Sequence, residues 1–229
     1  MRIGGLQRLS LVDFPKKLAA IVFTVGCNFR CPFCHNPELV TGGANEFLEA
    51  EFFDFLAQRT QQLEGVVITG GEPTLHHDLP EFVKKIRALG YAVKLDTNGT
   101  APEMLQQLID QKLLDYVAMD IKHTWVRYPF ATGLQQLPIA NIQRSAAILL
   151  QNKVDYEFRT TVIREFHNPE DIVTMAQQIT GAKRYIVQEF IPDRTLDPTF
   201  GRKLSFERAT LEGLAPEVQH YVQTFEIRQ

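Results

Sequence analysis

Short runs rich in Val, Ile, Phe and Tyr alternate along the chain with longer stretches of helical character. The runs at 19–25, 65–69, 91–95, 115–121, 155–162 and 184–190 predict strands. Several are almost continuously apolar, as in a sheet covered on both faces. Helices are predicted between them, near 50–62, 139–151 and 169–179. Asp78 three residues before Glu81, and Thr100 three before Glu103, have the spacing of capping boxes. Asn168 before Pro169 predicts a cap followed by proline at the first helical position. Ser205 is read as the cap of the last helix, and 218–227 as a strand-like tail.

Repeated strand–helix units predict parallel strands joined by right-handed crossovers. About six such units point to an α/β chain forming a partial (β/α)6 TIM-like barrel, open on one side. A flat doubly wound sheet is the alternative. There is no repeat, low-complexity stretch or Gly/Ser linker, so residues 1–229 are expected to form one domain. Segments 1–18 and 205–229 are then additions to the barrel. The stretch 123–138, with Trp125, Pro129, Gly133 and Pro138, reads as a long loop.

Composition narrows the function classes. Hydrophobic residues make up 45% and charged residues 22%, as in an ordinary globular protein. A net charge of -3 and a pI near 6.1 give no reason to expect nucleic acid or a membrane surface as partner. No secretory layout or bilayer-length apolar run is present, and a cytoplasmic protein is expected.

The chemistry concentrates in three cysteines, Cys27, Cys31 and Cys34, which are all the cysteine the chain has. They cannot build a disulfide framework, and their spacing points to a metal site. Three thiolates can hold three corners of a cubic iron–sulfur cluster whose closed form takes four, leaving one iron free. A Cys₃His zinc site using His35 is the alternative, but His35 adjoins Cys34 and no second ligand pair exists.

In a parallel architecture, chemistry gathers where strands end. The first predicted strand runs through Gly26 into Cys27, and the second into Gly70-Gly71-Glu72-Pro73. The third ends at Asp96-Thr97-Asn98-Gly99, and the fourth at Asp120-Ile121-Lys122. Two glycines let backbone approach a ligand, and Glu72 can accept from a ligand ammonium, although an ordinary Gly-Gly turn would look the same. Asp96–Gly99 could be only an Asx turn, Asp120 and Lys122 a solvated pair, and Arg159 a structural salt bridge. His76 and His77 read as an exposed loop, and His167 as structural.

The spacing Cys-X3-Cys-X2-Cys, with the aromatic Phe33 before the last cysteine, resembles the signature of the radical S-adenosylmethionine (SAM) superfamily. Gly70–Pro73 resembles that family's second motif. The resemblance implies the radical SAM type of barrel, one three-cysteine [4Fe–4S] cluster, and SAM held at the open iron. Asp96, Asn98, Asp120 and Lys122 match positions that contact SAM, or a nearby cation, in glycyl-radical-enzyme activases; Arg159 would meet the SAM carboxylate.

Ser10–Pro15, Val22–Gly26, Cys34–Glu38 and Gly70–Thr74 narrow the likeness to the longer form of anaerobic ribonucleoside-triphosphate reductase activating proteins. The implied activity is formation of a glycyl radical on a large partner enzyme. With cysteine confined to 27–34 there is one cluster, so electrons are expected from an external donor, which the resemblance implies is a flavodoxin or ferredoxin. Alternatives are activation of another glycyl radical enzyme such as pyruvate formate-lyase, a radical enzyme with a small-molecule substrate, and a non-enzymatic metal module. Lys16 is a departure, because the family usually carries Gly after Pro15; it bears on a local turn and on no ligand.

Overall fold

In the computed structural model, which describes residues 1–43 and 47–229, strands and helices alternate through the whole chain. Strand β1 (Ile3–Ser10) runs antiparallel to β2 (Ala19–Thr24). Then β3 (Gly65–Gly70), β4 (Ala92–Thr97), β5 (Tyr116–Asp120), β6 (Asp155–Val162), β7 (Arg184–Glu189) and β8 (Thr224–Arg228) are added in sequential order. Each is parallel to its predecessor. The helices are α1 (Pro37–Thr41), α2 (Glu49–Ala57), α3 (Leu79–Ala88), α4 (Pro102–Asp110), α5 (Tyr128–Thr132), α6 (Ile139–Leu150), α7 (Pro169–Gln178), α8 (Arg208–Gly213) and α9 (Ala215–Val218). β1 and β8 are the edges and do not pair with each other, so the sheet is an unclosed barrel.

The main core lies between sheet and helices. Phe52 of α2 stacks on Phe82 of α3 with ring centroids 5.4 Å apart, and both are fully or almost fully buried. Burying each such side chain contributes roughly 2–3 kcal/mol. A smaller cluster of Phe14, Ala19, Ile21, Val67 and Tyr116 fills the inside of the barrel away from the cysteines. Among the described residues no helix is long and apolar enough to cross a membrane.

Several expectations need correction. The barrel has one more parallel strand than six units predict, because β8 in the tail joins β7. β1 was not foreseen: its partly exposed sequence alternates poorly, and two register irregularities interrupt its pairing with β2. The stretch 123–138 holds the short helix α5, and the helix expected over 50–62 ends at Ala57.

Asn168 and Asp171 do form the capping box of α7. Asp78 does not cap α3 through its side chain; its carboxylate takes the Met1 ammonium at 2.6 Å. The Thr100 hydroxyl donates to Asn98 Oδ1 and leaves α4 with Ala101 as cap. Ser205 bonds the Val162 carbonyl, and the last helices begin beyond it.

The Lys17 N–H donates to the Phe14 carbonyl at 3.1 Å, closing a turn with Pro15 and Lys16 in its centre. Lys16 has φ of 62°, the left-handed conformation that the third position of a type II turn requires. The turn is therefore kept with a lysine where glycine would fit without strain.

Candidate functional site

The cysteine loop leaves β2 through Val25 and Gly26, the latter at φ 98°. Other segments fasten it. Arg30 N–H donates to the Thr132 carbonyl at 2.8 Å, Leu196 N–H to Cys34 O at 3.0 Å, and Asp197 N–H to Pro32 O at 2.9 Å. Within the loop, Arg30 Nη1 donates to the carbonyls of Cys27 and Phe29. Asn28 donates to the Thr100 hydroxyl and accepts from Asn98 Nδ2, both at 2.8 Å.

The glycine pair at the end of β3 is needed for contact between strands. A Cβ at Gly70 would lie 2.3 Å from Thr24 N, and one at Gly71 only 2.0 Å from the Gly26 carbonyl oxygen. Gly71 and Glu72 donate their N–H groups to Thr24 O and Gly26 O, zipping this turn onto the start of the cysteine loop. The close approach is thus to the chain's own backbone.

Glu72 is buried and saturated by protein donors. It accepts from the Thr74 N–H and hydroxyl, the Thr97 hydroxyl at 2.7 Å and the Asn98 N–H at 2.6 Å. Burial raises its pKa, and the four hydrogen bonds oppose that rise by favouring the carboxylate.

Facing Glu72 across the rim is a charged network. Arg159 donates from Nε to Asp120 Oδ1 at 2.7 Å and from Nη1 to Asp96 Oδ2 at 3.2 Å. Lys122 Nζ holds the second Asp120 oxygen at 2.8 Å. Burial works against the Asp120 charge, but Arg159 and Lys122 outweigh it and hold its pKa well below the usual carboxylate range. Asp96 Oδ1 is buried without a hydrogen-bond partner, and Lys94 Nζ lies 3.4 Å from it.

All twelve residues singled out in the sequence line one cavity of about 240 Å³: Cys27, Cys31, Phe33, Cys34, Gly70, Gly71, Glu72, Asp96, Asn98, Asp120, Lys122 and Arg159. Thr69, Thr97, Thr161 and Gln188 line it too and were missed. Strand alternation could have found two of them. Thr161 lies two residues after Arg159 on the same face of β6, and Gln188 pairs with it in register. His76 turns away and bonds the Val25 carbonyl, while His167 is buried behind Lys122.

The donor set fits a multi-iron cluster better than a single ion. His35, which a zinc site would need, stacks on Phe190 and bonds the Ile191 carbonyl. Burial pushes the Cys27 thiol up to about 11 and the Cys31 thiol up to about 12. Such thiols become thiolates when a bound cation compensates the charge. Asp96, in the same cavity lining, has one buried oxygen that makes no hydrogen bond and is faced by the Lys94 ammonium at 3.4 Å.

The Radical SAM superfamily model matches residues 21–179 of the chain. A protein of Methanocaldococcus jannaschii assigned as a glycyl-radical enzyme activating enzyme is 33% identical, over 99% of this chain and 95% of its own length. The pyruvate formate-lyase-activating enzyme of Listeria monocytogenes is 32% identical over 53% of each chain. In fold, the chain resembles Streptococcus suis SuiB bound to S-adenosylmethionine, with a TM-score of 0.70 at 14% identity. That likeness covers 91% of this chain and 49% of SuiB, so the chain spans about half of SuiB's length. With its cysteine loop and the motifs of the neighbouring strand ends around one cavity, the chain belongs to the radical SAM superfamily and is an enzyme of the glycyl-radical-enzyme activating kind.

Proposed function

We propose that this enzyme cleaves SAM reductively at a [4Fe–4S] cluster and generates a glycyl radical on a partner enzyme, an anaerobic ribonucleotide reductase. The cluster, when bound, supplies one electron to the sulfonium of SAM, releasing methionine and a 5′-deoxyadenosyl radical that takes hydrogen from a glycine. The observation that carries this reading is the meeting of three thiols and a paired acid–base network in one cavity. In this reading the chain is one domain in the reducing cytoplasm, where three free thiols persist.

Cys27, Cys31 and Cys34 would hold the cluster, and Phe33 would wall it. The Asp96 carboxylate lines the cavity and suits the SAM ammonium, for which its Oδ1 would turn from the Lys94 ammonium 3.4 Å away. The donors of Lys122 and Arg159 not used by Asp120 and Asp96 suit the SAM carboxylate. Glu72 and Asn98 act one step back, because their polar atoms already bond the protein. The unpaired edges β1 and β8 leave the barrel open for a polypeptide glycine, which favours a macromolecular substrate over a small one.

The test is anaerobic reconstitution with iron and sulfide, then dithionite and SAM. The reading expects about four irons per chain, 5′-deoxyadenosine with methionine, and a glycyl radical signal on added anaerobic ribonucleotide reductase. Bound zinc, or a cluster that never cleaves SAM, would sink it. A radical on pyruvate formate-lyase but not on the reductase would move the partner assignment.

A further inference from the structure

Three segments outside the cavity form one face beside the cysteine loop, and Phe166 joins them. Its ring stacks on Phe130 with centroids 4.7 Å apart, meets Phe33 edge-on at 5.4 Å, and lies 5.8 Å from Phe200. Arg164 N–H donates to the Leu204 carbonyl, bringing the loops after β6 and β7 together. Phe33 lines the cavity, so the rings run from the cysteine loop to the surface in two contacts.

The outer end of that path is apolar and exposed. Val126 is 89% exposed, Phe130 57% and Leu204 56%. Around them, segments 126–130, 164–166 and 200–204 carry Arg127, Arg164, Arg202 and Lys203 against the single acid Glu165. Glu165 lies 3.9 Å from Lys203, and Arg127 contacts Asp171. Arg164 and Arg202 have no ion pair among the described residues. A basic, apolar patch on a chain of net charge -3 is a local inversion of sign, and exposed apolar surface rimmed by charge marks an interaction site.

We propose that this face docks a small acidic one-electron carrier protein that reduces the cluster; the proposal rests on the function proposed above. Segments 126–130, 164–166 and 200–204 supply the complementary charge, and the rings of Phe130, Phe166 and Phe33 shorten the gap between carrier and cluster. One electron leaves the reduced carrier, which is oxidised by one, and enters the iron–sulfur group; no proton or covalent bond is exchanged. The site uses loops following β5, β6 and β7, whereas the sheet's free edges are β1 and β8. A carrier seated here leaves that open side to the substrate.

The test uses the iron–sulfur-loaded protein and oxidised flavodoxin as probe, with affinity read by calorimetry at low and moderate salt. Reversing two charges, Arg164→Glu with Arg202→Glu, is expected to weaken binding about tenfold or more and flatten its salt dependence. Phe130→Ser is expected to weaken it several-fold. Both variants should cleave SAM with dithionite at the parent rate yet slow when flavodoxin is the reductant, and Arg59→Glu in the turn after α2 should change nothing. Parent-like flavodoxin affinity in the double variant overturns the proposal. So does intact flavodoxin binding with lost radical transfer, which would give the face to the substrate enzyme. A parent chain that never cleaves SAM with dithionite refutes the function instead, and the binding measurement still decides the face.

Discussion

The Glu72 carboxylate accepts the Asn98 backbone N–H at 2.6 Å, joining the exits of β3 and β4. The same side chain takes the Thr97 hydroxyl, while Asn98 reaches on to Asn28 in the cysteine loop. Three strand exits are thereby held in one arrangement by a single buried acid and amide. A carboxylate with several donors is better placed to fix a frame than to greet a ligand.

Glu72→Ala should therefore unfold more easily even without cluster or SAM. It strands the donors of Thr74, Thr97 and Asn98 in a buried place, and the expected loss is roughly 3 kcal/mol or more. Denaturant unfolding of the cluster-free protein measures it. SAM affinity should fall as well, with Glu72→Gln intermediate in both. An unchanged unfolding midpoint in the Ala variant would remove Glu72 from the frame.

Lys16→Gly should stabilise the protein. Lys16 adopts φ of 62°, where a side chain costs roughly 1 kcal/mol relative to glycine. Lys16 is exposed, in a turn that precedes β2 and does not line the cavity, so activity should stay at the parent level while the unfolding midpoint rises. A drop in stability would mean that the lysine stem, not the backbone, governs this turn.

The rim was legible because each motif directly follows a predicted strand, and a parallel barrel brings such ends together whatever lies between them. The pairings within the rim were not legible. Nothing local to Glu72 announces that Asn98 will take its lone pair, and nothing near Asp78 announces the Met1 ammonium 77 positions away. The Asp78 cap failed for that reason: a charged partner supplied by the fold outbids a neutral N–H. β1 escaped notice because half-exposed, bulged edge strands lack the alternation that marks a strand.

SAM binding should not depend on which monovalent cation is present. The Arg159 guanidinium already bridges Asp96 and Asp120, and Lys122 adds a second positive charge to Asp120. Exchanging sodium for potassium or tetramethylammonium is expected to leave SAM affinity within about twofold, a change of under 1 kcal/mol. Arg159→Met should cost more than tenfold in that affinity, because it leaves two carboxylates facing each other. A strong, specific sodium requirement in the parent would show that the guanidinium does not fill this role.

Stability should fall on mild acidification, through a buried histidine pair. The rings of His123 and His167 stack 4.6 Å apart. Each accepts a backbone N–H at Nδ1, from Thr124 and Ile163, and points Nε2 at a backbone carbonyl, of Phe166 and Lys122. Asp171, shared with Arg127, lies 3.9 Å from His123 Nε2. Burial, then the neighbouring His123, depresses His167 from 6.5 to about 4, and burial lowers His123 too. The unfolded chain therefore binds protons first. The neutral pair's contribution is complete above pH 6.5 and is lost as pH falls toward 4, by roughly 3 kcal/mol for His167. Unfolding free energies of the cluster-free protein between pH 7.5 and 5 check this, with His167→Gln expected to flatten the slope. Because His167 anchors the Lys122 carbonyl, that variant should also weaken SAM binding at neutral pH. An unaltered pH slope in it would show that acid acts elsewhere.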